Sequence, residues 1–265
     1  MTSILGLSHL IVTSTNRDIG LNNRLTDLFL LKEKHIFHDS IDKQGLLRST
    51  ARHTDLSIFT SKNDTLPALE ILYSDSSVHR SLDSYGLLFP SKHLHKSTVE
   101  LQYKKNIRVS SIIPIEETYF VPHLPILVSY SPLVAQHNCT MGAWSYTVNI
   151  ELAKSFFSKI LDAKIIDHGD GYAVFTTNVV NRKLTRFLWV LIEQNQPNSV
   201  CFYNDDVGFS CVGWLAKRLD IQESCSGEIG YQATKPFSIN MSNNSFDATF
   251  FHNCDYLSHE IMVLK

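Results

Sequence analysis

Residues 6–12 read Gly-Leu-Ser-His-Leu-Ile-Val, an apolar run rich in β-branched side chains that is typical of a strand. Asn16 and Asp18 come next, and both are residue types that cap the first turn of a helix. The elements predicted from this stretch outward are a strand, a helix and two further strands, at 7–14, 19–31, 53–60 and 66–73. The stretch therefore predicts one unit of strand, helix and strands.

The same order of elements recurs three more times along the chain of 265 residues. A repeat of whole supersecondary units indicates duplicated modules even where the residues themselves differ. The second unit is predicted as a strand at 85–89, a helix at 93–105 and strands at 109–115 and 126–130. The third is predicted as a strand at 145–150, a helix at 151–161 and strands at 172–176 and 186–194. The fourth is predicted as a strand at 200–203, a helix at 209–219 and strands at 237–241, 246–251 and 259–264. The fold class is thus α+β, built from four tandem βαβββ modules.

The charge balance excludes several classes of partner. Lys and Arg number 24 against 26 Asp and Glu, so a net charge of −2 provides no global field that would attract nucleic acid or an anionic membrane. The apolar runs, such as 187–192, are far shorter than the roughly 18 residues that a membrane span needs. The sequence also lacks the GxSxG, GxxxxGK[ST], GxGxxG and HExxH motifs. We therefore expect a small-molecule ligand, no nucleic acid and no membrane.

Cysteine usage and the first residues indicate the compartment. The five cysteines are odd in number and include no CxxC pair, which favours reduced thiols over a disulfide framework. Residues 1–12 lack the basic region, long apolar core and cleavage site of a secretory signal. A cytoplasmic location is expected.

The quoted strand, with His9 at its centre, resembles the opening strand of the vicinal oxygen chelate superfamily, which includes glyoxalases and extradiol dioxygenases. Residues 53–59 and 69–71 are similar to a strand pair of the glyoxalase-like branch that ends on an acidic residue, here Glu70. Residues 125–130 and the helix at 153–161 also resemble that branch, at the point where a second paired domain begins.

The resemblance implies two tandem domains, separated by the aperiodic residues 131–141. The N-terminal domain would span 1–135 and the C-terminal domain 140–265, each with two modules that share one cupped mixed sheet, with helices on its outer face. A divalent metal, Fe, Mn, Ni or Zn, would sit in the cup and leave positions open for two oxygens of a substrate.

His9 and Glu70 match the metal-ligand positions of the first module in this resemblance, and Glu70 is also the candidate base. His53 would orient the imidazole of His9 or contact the substrate. The alternative is an ordinary half-buried histidine beside a carboxylate at the rim of the sheet. The set is incomplete, because residues 144–148 offer no second opening-strand histidine. The two-histidine site of an extradiol dioxygenase is therefore disfavoured.

Further candidates for the substrate pocket are carboxylates that end strands and aromatic side chains on strands. The carboxylates are Glu193 and Glu260, and the aromatic candidates are Trp144, Tyr146 and Trp189. The alternative for the aromatic residues is ordinary core packing. The sequence thus predicts a metal-dependent glyoxalase-like lyase, isomerase or oxygenase that acts on a small oxygenated metabolite. A second hypothesis is a metal-free protein of the same fold that binds a small molecule, as resistance proteins do.

Overall fold

The computed structural model of the chain is dominated by strands. It describes residues 3–15, 25, 31–37, 54–61, 66–74, 85–90, 102–103, 117–120, 125–180, 185–194, 208–218, 231–241, 244–252 and 257–265. The strands are β1 (Ile4–Ser14), β2 (Leu31–Phe37), β3 (Thr54–Ser61), β4 (Ala68–Ser74), β5 (Tyr85–Phe89), β6 (Gln102–Tyr103), β7 (Glu117–Phe120), β8 (Leu127–Tyr130), β9 (Met141–Thr147), β10 (Lys164–Gly169), β11 (Tyr172–Asn178), β12 (Arg186–Glu193), β13 (Gly208–Ala216), β14 (Gln232–Ala233), β15 (Phe237–Met241), β16 (Asn244–His252) and β17 (Ser258–Leu264). The helices with described bounds are α1 (Pro132–Gln136) and α2 (Ile150–Lys159).

The strands form two mixed sheets. Sheet I has the order β14-β16-β17-β13-β1-β4-β3-β2, and β15 adds to it by pairing with β16. Sheet II has the order β10-β11-β12-β9-β5-β8-β7-β6. In each sheet two modules meet through an antiparallel central pair, β1 with β13 and β5 with β9.

The pairing of modules differs from the expectation. Sheet I joins the first module to the fourth, and sheet II joins the second to the third. The expectation that successive modules share one sheet is therefore wrong. The expectation took modules that follow one another in the chain as partners. Strand β1 instead pairs edge to edge with β13 along nearly its whole length, and nearness in sequence does not encode such a long-range pairing. The limits 1–135 and 140–265 stay a prediction, as does the placement of helices on the outer faces.

Most predicted strands are present within a few residues of their expected bounds, but some predicted elements differ. The predicted helix at 209–219 is strand β13, which is buried on both faces over Gly208–Trp214. A strand that is buried on both sides has no alternation of polar and apolar residues, so its sequence can imitate a helical stripe. Residues 102–103 are likewise strand within the predicted helix at 93–105, and the predicted linker contains α1.

Several predicted elements lie outside the described residues. These are the strands at 109–115 and 200–203, most of the helix at 93–105, and the helix at 19–31 except for Leu25, which is helical and buried, and Leu31, which begins β2.

Helix α2 packs against side chains of both sheets. Asn149 caps it by accepting the Leu152 N–H at 3.0 Å. Its buried face, with Phe156 and Phe157, belongs to one large apolar cluster that includes side chains from both sheets. We call the face of each sheet that enters this cluster its core face. Phe156 stacks on Tyr231 with ring centroids 3.7 Å apart, which ties the helix to the fourth module.

Two cysteines, Cys139 and Cys211, are described, and both are buried thiols. Burial raises the pKa of the Cys139 thiol to about 11, partly opposed by the charge of Arg186. In the described part of the chain, no helix has the length and apolar character needed to cross a membrane.

Candidate functional site

Three titratable side chains meet on the face of sheet I opposite its core face, which we call the site face. The ring of His9, on β1, lies between two carboxylates. Its Nδ1 is 3.7 Å from Glu70 Oε1 on β4, and its Nε2 is 3.5 Å from Glu260 Oε2 on β17. All three residues are buried, with 5%, 7% and 1% of their surface exposed. This is a desolvated imidazole with a carboxylate at each ring nitrogen.

Strand register explains this meeting. His9 pairs with Gly213 across the antiparallel β1–β13 junction, and Gly213 pairs with Glu260 on the parallel strand β17. Paired residues in a sheet point to the same face, so His9 and Glu260 lie in one row. On the other side of β1, Ala68 is the partner of His9, and Glu70 lies two residues further along β4 on the same face.

Gly213 makes room for the imidazole. A Cβ built on Gly213 would overlap the His9 ring atoms Cε1, Nε2 and Nδ1. The His9 ring therefore occupies the space where β13 would otherwise carry a side chain. In the family that the sequence resembles, ligands come from the first and last strands of each module. Here the first strand of the fourth module provides a glycine at that point.

The spacing of the three groups bears on metal binding. Both N···O separations exceed the 2.7–3.2 Å typical of an N–H···O hydrogen bond. Two ligands about 2.1 Å from one ion at a tetrahedral angle lie roughly 3.4 Å apart, close to the His9–Glu260 separation. Nitrogen and carboxylate oxygen donors also suit Fe, Mn, Ni and Zn. The His9–Glu260 pair thus fits a divalent ion in donor type and spacing.

The complete trio does not converge on one point. The two carboxylates face different nitrogens of one ring. Accordingly, among the residues that the structure describes, no group of three or more His, Cys, Asp or Glu side chains has the arrangement of a metal site. Glu70 lies 3.7 Å from the second ring nitrogen, Nδ1, and the Ser8 hydroxyl lies closer to the same nitrogen, at 3.3 Å.

Apart from the Ser8 hydroxyl, whose Oγ lies 3.3 Å from His9 Nδ1, the side chains described below around the three groups are apolar. They form a separate small cluster on the site face, in which Ile11, Leu56, Leu72, Cys211 and Phe250 are buried and Ile58 and Phe237 are partly buried. Phe250 pairs with Glu260 across β16 and β17, so its ring lies beside the carboxylate. The site therefore consists of one imidazole and two carboxyl groups beside a cluster of apolar side chains.

Sheet II carries no equivalent centre at the matching positions. Gly86 and Trp144 pair across the β5–β9 junction, and a Cβ on Gly86 would overlap the Trp144 indole. The neighbours in the flanking strands are Leu127 beside Gly86 and Val190 beside Trp144. Trp144 thus takes the place in sheet II that His9 takes in sheet I, and it is fully buried.

The other residues proposed for a substrate pocket lie apart from His9. Tyr146 packs edge to face on Trp144 at 5.7 Å, on the same face of sheet II. Trp189 is on the core face and stacks with Phe209 at 6.4 Å. Glu193 accepts the Ile150 N–H at 3.1 Å, at the first turn of α2. These positions are consistent with core packing for Trp189 and with helix capping for Glu193.

Among the predicted residues, the structure brings together His9, Glu70 and Glu260, whereas His53 lies outside the described residues. Sequence reasoning placed Glu260 in the substrate pocket and overlooked Gly213. The usable signal was Gly213 in the middle of an apolar run, which is typical of a close approach in a strand.

Comparison with known proteins bears on the fold. No protein-family model and no curated protein sequence matches the chain. Among solved structures, glyoxalase I from Zea mays is similar, with a TM-score of 0.58 and 12% identity over 97% of this chain and 92% of that one. A mutant of the same enzyme gives a TM-score of 0.60 at 13% identity, over 97% and 92% of the two chains. A candidate dioxygenase from Bacillus subtilis gives 0.58 at 12% identity, over 99% and 86%.

These likenesses cover nearly the whole chain, at identities that define the fold alone. The chain therefore shares its fold with these glyoxalase I and dioxygenase-like structures, which agrees with the fold that the sequence resemblance implied. The particular activity is a separate question, which the His9 site addresses.

Proposed function

We propose that the protein is a divalent-metal-dependent enzyme of the glyoxalase type, a lyase, isomerase or oxygenase that acts on a small oxygenated metabolite at the site face of sheet I. The observation that carries this proposal is the buried His9 ring with Glu260 and Glu70 at 3.5 and 3.7 Å. Buried charged groups are rare unless they are paired or bind a metal, and they are frequent at functional sites.

In this proposal His9 and Glu260 hold the ion. The pair replaces the His9–Glu70 pair expected from the sequence, because its separation of 3.5 Å is the shorter of the two and because Glu260 is the more deeply buried carboxylate. A bound divalent cation supplies Lewis-acid polarisation of substrate oxygens. Because Gly213 has no side chain, the first strand of the fourth module provides no ligand where the family has one.

Glu70 is the proposed proton-transferring group. Its carboxylate lies on the far side of the imidazole from Glu260, 3.7 Å from Nδ1, and the Ser8 hydroxyl at 3.3 Å holds that nitrogen. A carboxylate that is not itself a metal ligand keeps a basic oxygen available for a substrate proton. The apolar cluster around it excludes water, which strengthens each of these interactions.

Two carboxylate variants test the assignment. We expect Glu260→Gln to lose most bound metal and Glu70→Gln to retain it, as measured by elemental analysis after titration of the purified protein with Mn²⁺, Ni²⁺ and Zn²⁺. Glu151→Gln, at an exposed residue of α2, is the matched control, and circular dichroism verifies that each variant is folded. Loss of metal in Glu70→Gln with retention in Glu260→Gln would restore the His9–Glu70 pair.

A second candidate function has an observation in its favour. The three titratable groups do not converge on one point. In addition, Gly213 stands where the first strand of the fourth module would carry a ligand. A metal-free protein that binds a small molecule on the same face accounts for this arrangement without an ion. Wild-type protein that takes up none of the three metals would favour this candidate and contradict the enzyme. The cytoplasmic location and the lack of a nucleic-acid partner stay predictions.

A further inference from the structure

We propose that the molecule bound at the His9 site has a neutral apolar body, aromatic or branched aliphatic, attached to the group that reaches His9 and Glu260. The proposal rests on the proposed function for its metal-bound head and on the walls of the site face for its body. It assigns the substrate class, which the His9–Glu70–Glu260 group alone leaves open.

An aromatic wall lies next to the charged centre. Phe237 and Phe250 are stacked with centroids 5.8 Å apart and ring planes 8° apart, and His252 continues the stack at 6.2 Å and 7°. Phe250 is fully buried, while Phe237 is partly exposed, so Phe237 is the ring that a ligand reaches. Parallel rings present a flat surface, which suits a planar partner.

Aliphatic side chains form the wall on the other side of the centre. Ile11, Leu56 and Leu72 are on β1, β3 and β4, and each retains 6–8% of its surface exposed. The aliphatic and aromatic side chains belong to one apolar cluster, so a body that contacts either group meets an apolar surface. Displacing water from such surfaces favours an apolar ligand.

The carboxylates of the site disfavour a ligand whose body is anionic. The side chains of the small cluster are uncharged, and the group at its centre has two carboxylates and one imidazole. A ligand with an anionic body would face the carboxylates in a desolvated setting, without a cation from any of these side chains. Like charges at short range are strongly unfavourable there, so the site discriminates by repulsion as well as by contact.

Three hydroxamic acids with the same oxygen pair and different bodies test the inference. Acetohydroxamic acid has a minimal body, benzohydroxamic acid a neutral ring and succinic monohydroxamic acid an anionic chain. On the Ni²⁺-loaded protein, isothermal titration should show benzohydroxamic acid binding at least about tenfold tighter than acetohydroxamic acid, since burying part of a ring exceeds 1.4 kcal/mol. The succinic compound should bind most weakly.

Two variants test whether the preference for the ring compound comes from the aromatic side chains beside the His9 site. Phe237→Ala should remove most of the preference for the ring, whereas Tyr172→Ala, which truncates a half-buried aromatic residue of sheet II, should leave it unchanged. The neutral fluorophore N-phenyl-1-naphthylamine provides a readout on the metal-free protein, and Phe237→Ala should weaken its binding too.

The outcomes separate the two proposals. If the protein takes up metal but succinic monohydroxamic acid binds as tightly as benzohydroxamic acid, the inference of an apolar ligand body is wrong and the enzyme proposal stands. Failure to take up metal would overturn the proposed function, and the fluorophore result would then decide the apolar site by itself. Equal fluorophore binding by wild type and Phe237→Ala would overturn the inference in either case.

Discussion

Substituting Gly213 by alanine tests the geometry of the site more directly than removing a ligand does. The backbone at Gly213 does not adopt the left-handed region, so alanine fits it without strain of the main chain. The new Cβ would overlap the His9 ring, which must move. Gly213→Ala therefore displaces one imidazole and alters little else.

The expected cost follows from two opposing effects. Inserting a methyl group into a packed interior costs about 1–3 kcal/mol. Replacing glycine by alanine gains about 0.5–1 kcal/mol through the unfolded chain. The net destabilisation is then about 1–2 kcal/mol, or roughly 2–8 °C in Tm for a chain of this size.

A double-mutant cycle isolates the overlap. In the His9→Ala background the ring is absent, so Gly213→Ala should cost about 1–2 kcal/mol less than it does alone. Urea denaturation of the four proteins gives this coupling free energy. Gly86→Ala, whose Cβ would overlap Trp144 in sheet II, is the control, since it should lower Tm without coupling to His9. A coupling near zero between positions 9 and 213 would refute the ring position described above.

Three further predictions concern the framework. Glu193→Ala should destabilise the protein by about 0.5–2 kcal/mol in urea denaturation, because the Ile150 N–H loses its acceptor, and Glu193→Gln should recover most of this loss; equal effects of the two would contradict a capping role. Trp214→Phe should cost about 1–3 kcal/mol, because His259 Nδ1 loses the indole N–H that it accepts at 3.2 Å, and an unchanged unfolding midpoint would argue against that bond. Cys139 should resist iodoacetamide at pH 8 in the native protein, because its pKa of about 11 keeps the thiol protonated, and it should react after denaturation; rapid native labelling would contradict its burial.

The strands were largely predictable from the sequence. Short apolar runs bounded by turn residues identified β1, β3, β4, β12 and β17. Strand β13 was predicted as a helix for a physical reason, since burial of both its faces removes the alternation that distinguishes a strand. Strand β2 was not predicted because exposed residues such as Lys32 and Lys34 resemble those of a loop or helix end.

The candidate site was predictable only in part. His9 and Glu70 lie in one module, so a local pattern could relate them. Glu260 meets His9 only through β13, whose register no local pattern encodes. Trp144 and Trp189 were grouped together although they sit on opposite faces of sheet II, because their strand registers were not known.

The pairing of the first module with the fourth has a consequence for the order of folding. Sheet II uses a single continuous segment, 85–193, whereas the central strands of sheet I come from opposite sides of that segment. The Ser210 hydroxyl that donates to the Ile11 carbonyl bridges 199 positions. Contacts of such long range form late, because the closure entropy of the intervening chain must be overcome first. During synthesis, the strands of sheet II are complete before β13 leaves the ribosome. We therefore expect sheet II to fold before β1 pairs with β13, and the His9 site to form after sheet II.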